Sequence, residues 1–197
     1  MRTSAMVIAL FLIGSGDVGP APAALGQTGA GWVTLFDGKN LDQFVATGDA
    51  DWHIVDGVLE ATKARGFLVS KQSYTDFEMR GDVWATTQSN AGFLFRITNP
   101  KDPGIENGYE LNINDERKDQ SGRTGSIVNV APPLVKFDSG GKWTTVEIRA
   151  VGPKMTARLN GTLTAEATDA KYPRGPVALQ AAGGLVRYRN VQIREVK

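Results

Sequence analysis

The chain has 197 residues, with 22 Lys+Arg against 21 Asp+Glu and a formal net charge of +1. That leaves room for one ordinary domain and none of the positive field that a nucleic-acid partner requires. It contains no Cys and a single His, which removes disulfides, thiolate nucleophiles, zinc ribbons and multi-histidine metal sites, so any chemistry falls to carboxylates, Arg, Lys, Tyr and hydroxyls.

Met1-Arg2 opens an apolar run from Ala5 to Ile13, and Ala21-Pro22-Ala23 follows. A basic start, a short apolar core and an A-x-A site are the three parts of a secretory signal. Residues 1–27 therefore read as a signal peptide and short leader, residues 28–197 as one domain, and the protein as periplasmic or secreted. An N-terminus between Ala23 and Gln27 on exported protein is the expected result; an intact Met1 on cytoplasmic protein would overturn it. The apolar run is far shorter than the roughly 20 residues that cross a bilayer, so no membrane span is expected. Gly14-Ser15-Gly16-Asp17-Val18-Gly19 spells GxGxxG, with Asp37 near the place of a ribose-binding acid. A dinucleotide site needs a helix to start at that loop. Pro20, Pro22 and the Gly-Gln-Thr-Gly stretch that follows count against one, and no nucleotide is expected.

From Gly31 onward short strands follow one another. Trp32 to Phe36 runs into Asp37-Gly38, and Trp52 to Val55 turns through Asp56-Gly57 into Val58 to Ala61, a two-residue hairpin. Phe77, Met79, Gly81 and Val83 alternate with Glu78, Arg80, Asp82 and Trp84. Phe93, Phe95 and Ile97 alternate with Gly92, Leu94 and Arg96, and Tyr109, Leu111 and Ile113 with Glu110, Asn112 and Asn114. Trp143 to Val151, Met155 to Leu159, the Asn160-Gly161 turn, Pro176 to Gln180 and Val186 to Val196 complete the series. No window carries an uninterrupted helical stripe. The pattern predicts an all-β fold, a two-sheet antiparallel β-sandwich or barrel. Trp52 and Trp143 are expected in the core, and Asp37, Asp56 and Asn160 as turn formers.

Leu35-Phe36-Asp37-Gly38-Lys39-Asn40-Leu41, Val55-Asp56-Gly57-Val58-Leu59 and Tyr74-Thr75-Asp76-Phe77-Glu78-Met79-Arg80 come in a telling order. Asn90 to Arg96, Gly108 to Ile113, Thr124-Gly125-Ser126-Ile127, Trp143 to Ile148 and Leu159-Asn160-Gly161 continue it. Together they resemble the bacterial 3-keto-disaccharide hydrolase domain family, over roughly Gly31 to Val196. The resemblance implies a concanavalin A-like jelly roll, an exported protein and hydrolysis of glycosides oxidised at sugar carbon 3.

The residues themselves set a narrower chemistry. Glu110, Asn112 and Asn114 share one face of their strand, and the parity of Arg96 also takes it away from the core. Ordinary glycoside hydrolysis needs two carboxyls within about 10 Å. Here amides stand where further acids would be, and Glu116 lies about 20 Å along the strand direction. A keto group at carbon 3 makes the carbon 2 proton acidic, so one base and one enolate stabiliser suffice for elimination, after which water adds. Glu110 is the candidate base, and Arg96 or a bound cation the candidate stabiliser. Asn90, Asn112, Asn114, Trp84 and Thr124 make up the expected sugar-binding set.

Plainer roles compete with these. Glu110 and Arg96 could be a cross-strand ion pair on a solvated face. Asp115, Glu116 and Asp119 could ligate a divalent cation such as calcium, or simply line a polar loop. His53 falls in no motif. A non-catalytic carbohydrate-binding jelly roll is the alternative to an enzyme. The expected partner is in either case a carbohydrate, and the sugar, its linkage and the oligomeric state stay open.

Overall fold

The computed structural model describes residues 31–197, so the leader and the glycine-rich GxGxxG stretch lie outside the described residues. Two antiparallel sheets face each other. The larger runs in the order β11 (Thr162–Thr168), β10 (Lys154–Leu159), β9 (Thr144–Val151), β6 (Phe77–Ala85), β13 (Val186–Glu195), β4 (Val58–Ala61) and β3 (His53–Val55), with β1 (Val33–Phe36) also paired to β13. The smaller runs β2 (Phe44–Gly48), β5 (Arg65–Tyr74), β12 (Gly175–Ala182), β7 (Ala91–Phe95) and β8 (Tyr109–Ile113). Among the described residues the one helical element is a 3-10 turn at Gln120–Gly122.

Alternation of apolar residues drives the two sheets together. Phe77, Met79, Val146 and Ile148 from the larger sheet meet Phe93, Phe95, Tyr109, Leu111 and Ile113 from the smaller, all at 2% exposure or less. Trp52 packs against this core with its ring 6.2 Å from that of Tyr188. Trp143 does not enter it. It precedes Thr144, whose side chain takes the buried position, so the indole lies on the outside under the guanidinium of Arg189.

Local chemistry fixes the hairpins. Asp56-Gly57 and Asn160-Gly161 hold φ of 50° and 78°, and 49° and 77°, the left-handed pair that a two-residue turn between right-twisted strands demands. On β13 the register shifts between Arg189 and Gln192, and Asn190 sits at φ 55°. This bulge lets Tyr188, Val191 and Ile193 all face inward.

Two strands escape a reading by alternation. On β5, Leu68 enters the main core while Phe67 and Val69 join an apolar cluster on the other face, and Gly66 to Ser70 are buried without interruption. A strand covered on both faces shows a continuous apolar run rather than period two. β2 is a five-residue edge strand with only Phe44 buried, too short to carry a pattern.

Candidate active site

The outer face of the smaller sheet is assembled by register. Glu110 on β8 pairs with Leu94, and Leu94 with Ala178; Asn112 pairs with Gly92, and Gly92 with Gln180. Ala178 and Gln180 continue to Val69 and Phe67 on β5. Phe67, Val69, Leu94, Ile97 and Ala178 form a second apolar cluster there, separate from the main core and at 3% exposure or less. The segment after β7 arches over part of this face. Pro103 accepts a 3.2 Å hydrogen bond from Arg65 Nη2, and depressions of about 340 and 350 Å³ open on either side of Lys101.

Glu110 lies at the polar end of this apolar strip, at 6% exposure. Its Oε1 sits over Gly92, 2.8 Å from where a Cβ at that position would be. An interior strand glycine is a cost unless something needs the space, and here the carboxyl occupies it. Among the described residues no side chain or backbone group makes a hydrogen bond to this carboxyl. Burial pushes it up to about 7, against a smaller downward pull from the positive charges of Arg117 and Arg65. A carboxyl poised near neutrality, with no partner holding either protonation state, is suited to take a proton and give it up again.

Below Gly92, Tyr188 reaches across from the larger sheet. Its hydroxyl donates to the Gln180 carbonyl at 2.6 Å and receives the Gly92 N–H at 3.4 Å. Burial, reinforced by Glu110, raises this phenol far above its ordinary range, so it stays neutral. Gly92 is thus fixed from beneath, and the carboxyl above it rests on a rigid floor.

A methyl group at Gly92 tests this packing directly. Its backbone is not in the left-handed region, so Gly92→Ala should fold, but the new Cβ would meet Glu110 Oε1 at 2.8 Å and Cγ at 3.2 Å. The carboxyl must swing toward water, and its titration midpoint, followed by carbon NMR, should fall from about 7 toward the ordinary value. An unchanged midpoint would show that burial at this point is not what raises it.

The sequence-predicted set divides. Asn114 Nδ2 donates to Asn90 Oδ1 at 3.3 Å, and both are half-buried. Thr124 Oγ1 receives the Asn114 N–H at 2.8 Å and donates to Asp115 Oδ1. Asn90, Asn114 and Thr124 therefore gather beside the β8 strand, although Thr124, with no exposure, serves the loop. Asn112 has the outward parity foreseen but is fully buried rather than groove-lining, because residues 122–126 cover it and Gly122 accepts its Nδ2–H at 2.5 Å. Asp115 is committed too, receiving the N–H groups of Ser139 and Gly140. Asp119 caps the 3-10 turn, and among the described residues no three acidic or His groups converge.

Two expectations are corrected. Arg96 is fully buried and does not share the groove with Glu110. It directly follows β7 at φ 53°, which breaks the alternation: Ile97 turns to the outer cluster and Arg96 turns inward. Its guanidinium donates to the Thr75 carbonyl at 2.6 and 3.0 Å, to Gly152 O at 2.8 Å and to Asp76 at 3.3 Å, stitching the two β-turns at one end of the sandwich. Trp84 lies on the outer face of the larger sheet, with the Arg187 guanidinium 5.1 Å from its ring, and cannot stack on a sugar held by Glu110.

The positive charges that act on Glu110 are those of Arg117 and Arg65. Arg65 opens β5 on the same sheet face, its guanidinium 4.9 Å from the Phe67 ring. Arg117 lies against Gly122, whose missing side chain leaves it room. Nothing in the sequence marks either. Gly92 did carry a signal, an isolated glycine inside a strand.

The fold is a β-sandwich of the jelly-roll type, and the family match makes it a carbohydrate-active one. Residues 31–194 match the 3-keto-alpha-glucoside-1,2-lyase-like domain, and the chain belongs to that family. Two candidate glycosyl hydrolases from Parabacteroides distasonis have similar structures. One is 20% identical, with a TM-score of 0.75 over 85% of this chain and 94% of its own. The other is 25% identical, with a TM-score of 0.69 over 84% and 99%. The carbohydrate-binding module CBM66 from Bacillus subtilis shares the fold at 17% identity, with a TM-score of 0.61 over 84% and 96%. Among curated proteins, none matches the chain.

Proposed function

We propose that the protein cleaves glycosides whose sugar carries a keto group at carbon 3. The observation that carries this reading is Glu110, buried, without a hydrogen-bonding partner among the described residues and raised to about 7. Its carboxylate removes the proton from carbon 2, and the resulting charge spreads onto the carbon 3 oxygen as an enolate. That electron pair then forms the bond between carbons 1 and 2 as the glycosidic oxygen leaves carbon 1 and takes up a proton. Water adds across the new double bond, its oxygen to carbon 1 and a proton to carbon 2. Arg65 and Arg117 supply the positive field that favours the enolate. The strands that build this face offer no second carboxylate beside Glu110, which fits elimination better than a two-acid glycosidase. The leader motivates placing the activity outside the cytoplasm, in the periplasm or secreted.

The deciding experiment is incubation of the chain with a 3-keto-disaccharide and with its non-oxidised parent. Release of free monosaccharide from the keto sugar alone is the expected result. No release from either, together with measurable binding, would leave a carbohydrate-binding jelly roll in place of an enzyme.

A further inference from the structure

Three of the four tryptophans of the chain stand on the outer face of the larger sheet, away from Glu110. Each is half-buried and stacked on an arginine. Arg189 lies 4.0 Å from the Trp143 ring, Arg187 5.1 Å from Trp84, and Arg80 and Arg194 lie 4.2 and 4.8 Å from Trp32. Arg187, Arg189 and Arg194 all come from β13, so the stacks follow one strand over roughly 20–25 Å, the length of several pyranose rings. At one end is a depression of about 460 Å³, lined by four arginines against two glutamates together with Trp32.

Packing alone explains a single Trp–Arg stack, but not a row of them beside an open cationic depression. Glu78 receives Arg149 at 3.0 Å and Arg194 from the other side, so these guanidiniums are held in place before any ligand arrives. Arg158 is exposed and donates to the Gly161 carbonyl at 3.0 Å. Aromatic faces at intervals suit sugar rings, and a guanidinium fork fits a carboxylate. Groups immobilised in advance lose little entropy on binding.

We propose that this face is a second, non-catalytic glycan surface that takes a carboxylate-bearing polysaccharide, with sugar rings against Trp84 and Trp143 and a uronate carboxylate in the Arg158 depression. It lies on the opposite sheet from Glu110 and does not depend on turnover there.

The test is calorimetric titration of the full chain with a hexamer of galacturonate, a neutral hexamer and a sulfated hexamer. The expected result is submillimolar binding of the galacturonate oligomer, weakened at least tenfold by 0.5 M NaCl, by Trp84→Ala and by Arg158→Gln, and unchanged in Glu110→Gln. Arg158 is exposed on its strand, so its variant separates loss of contact from loss of fold. No binding, equal binding of the neutral oligomer, preference for the sulfated oligomer, or indifference to both surface variants would each overturn the proposal.

Discussion

Glu110→Gln should reduce turnover of a 3-keto-disaccharide by about 10²-fold or more, as loss of a general base does, while making the protein more stable at alkaline pH. Both effects come from one fact. Burial raises the folded carboxyl to about 7 from an ordinary value of 4.5, so the native state holds its proton more tightly than the unfolded chain. Stability from this group is complete below about pH 4.5 and declines as pH rises through 7, because folding must then bury a charge. The gap corresponds to about 3 kcal/mol. Glu110→Gln has no such charge, so its denaturation midpoint should match the wild type near pH 4 and exceed it above pH 8. The wild-type kcat/KM should climb tenfold per pH unit below 7 and level off above it. A variant with full turnover, or with no pH-dependent gain in stability, would remove Glu110 from the chemistry or from its buried site respectively.

Arg96→Met should have the opposite profile, with a large loss of stability and little loss of chemistry. The guanidinium answers the Thr75 and Gly152 carbonyls and reaches Asp76 from a position with no solvent exposure. Methionine fills part of the volume but leaves those carbonyls without donors, at a cost of about 3–5 kcal/mol. Lysine, with one ammonium for three directions, should recover only a fraction. Denaturant unfolding measures the loss, and turnover per folded molecule should stay within a few-fold of wild type. A stable variant whose turnover collapsed would return Arg96 to the reacting centre.

These two residues also mark how far the sequence could be read. On β8 the alternation is unbroken, so the outward parity of Glu110 follows from Tyr109, Leu111 and Ile113 alone. Arg96 defeats the same reasoning because one left-handed residue just past the strand inverts the faces of Arg96 and Ile97. Parity also says only that a side chain leaves the core, not which sheet it leaves from. Trp84 and Glu110 both point outward, yet from opposite sheets, and only the pairing of β6 with β13 and of β7 with β8 tells them apart. The charges of Arg65 and Arg117 act on Glu110 through tertiary folding, one from a strand without alternation and one from a loop. The burial of Asn112 likewise depends on where residues 122–126 come to lie.

The chain that covers Asn112 has an effect on self-association. β8 ends the smaller sheet, and a bare sheet edge invites pairing with another molecule. Here Val128 donates to the Glu110 carbonyl at 3.0 Å, Asn112 to Ser126 O at 3.1 Å and Gly125 to Asn112 O at 2.9 Å, so these backbone groups of that edge are already used. Strand addition at this border is blocked, and within the smaller sheet the open edge is β2, at its far side. Molecules that stick together through β2 keep Glu110 uncovered, so on the proposed function early aggregates should lose solubility before they lose turnover.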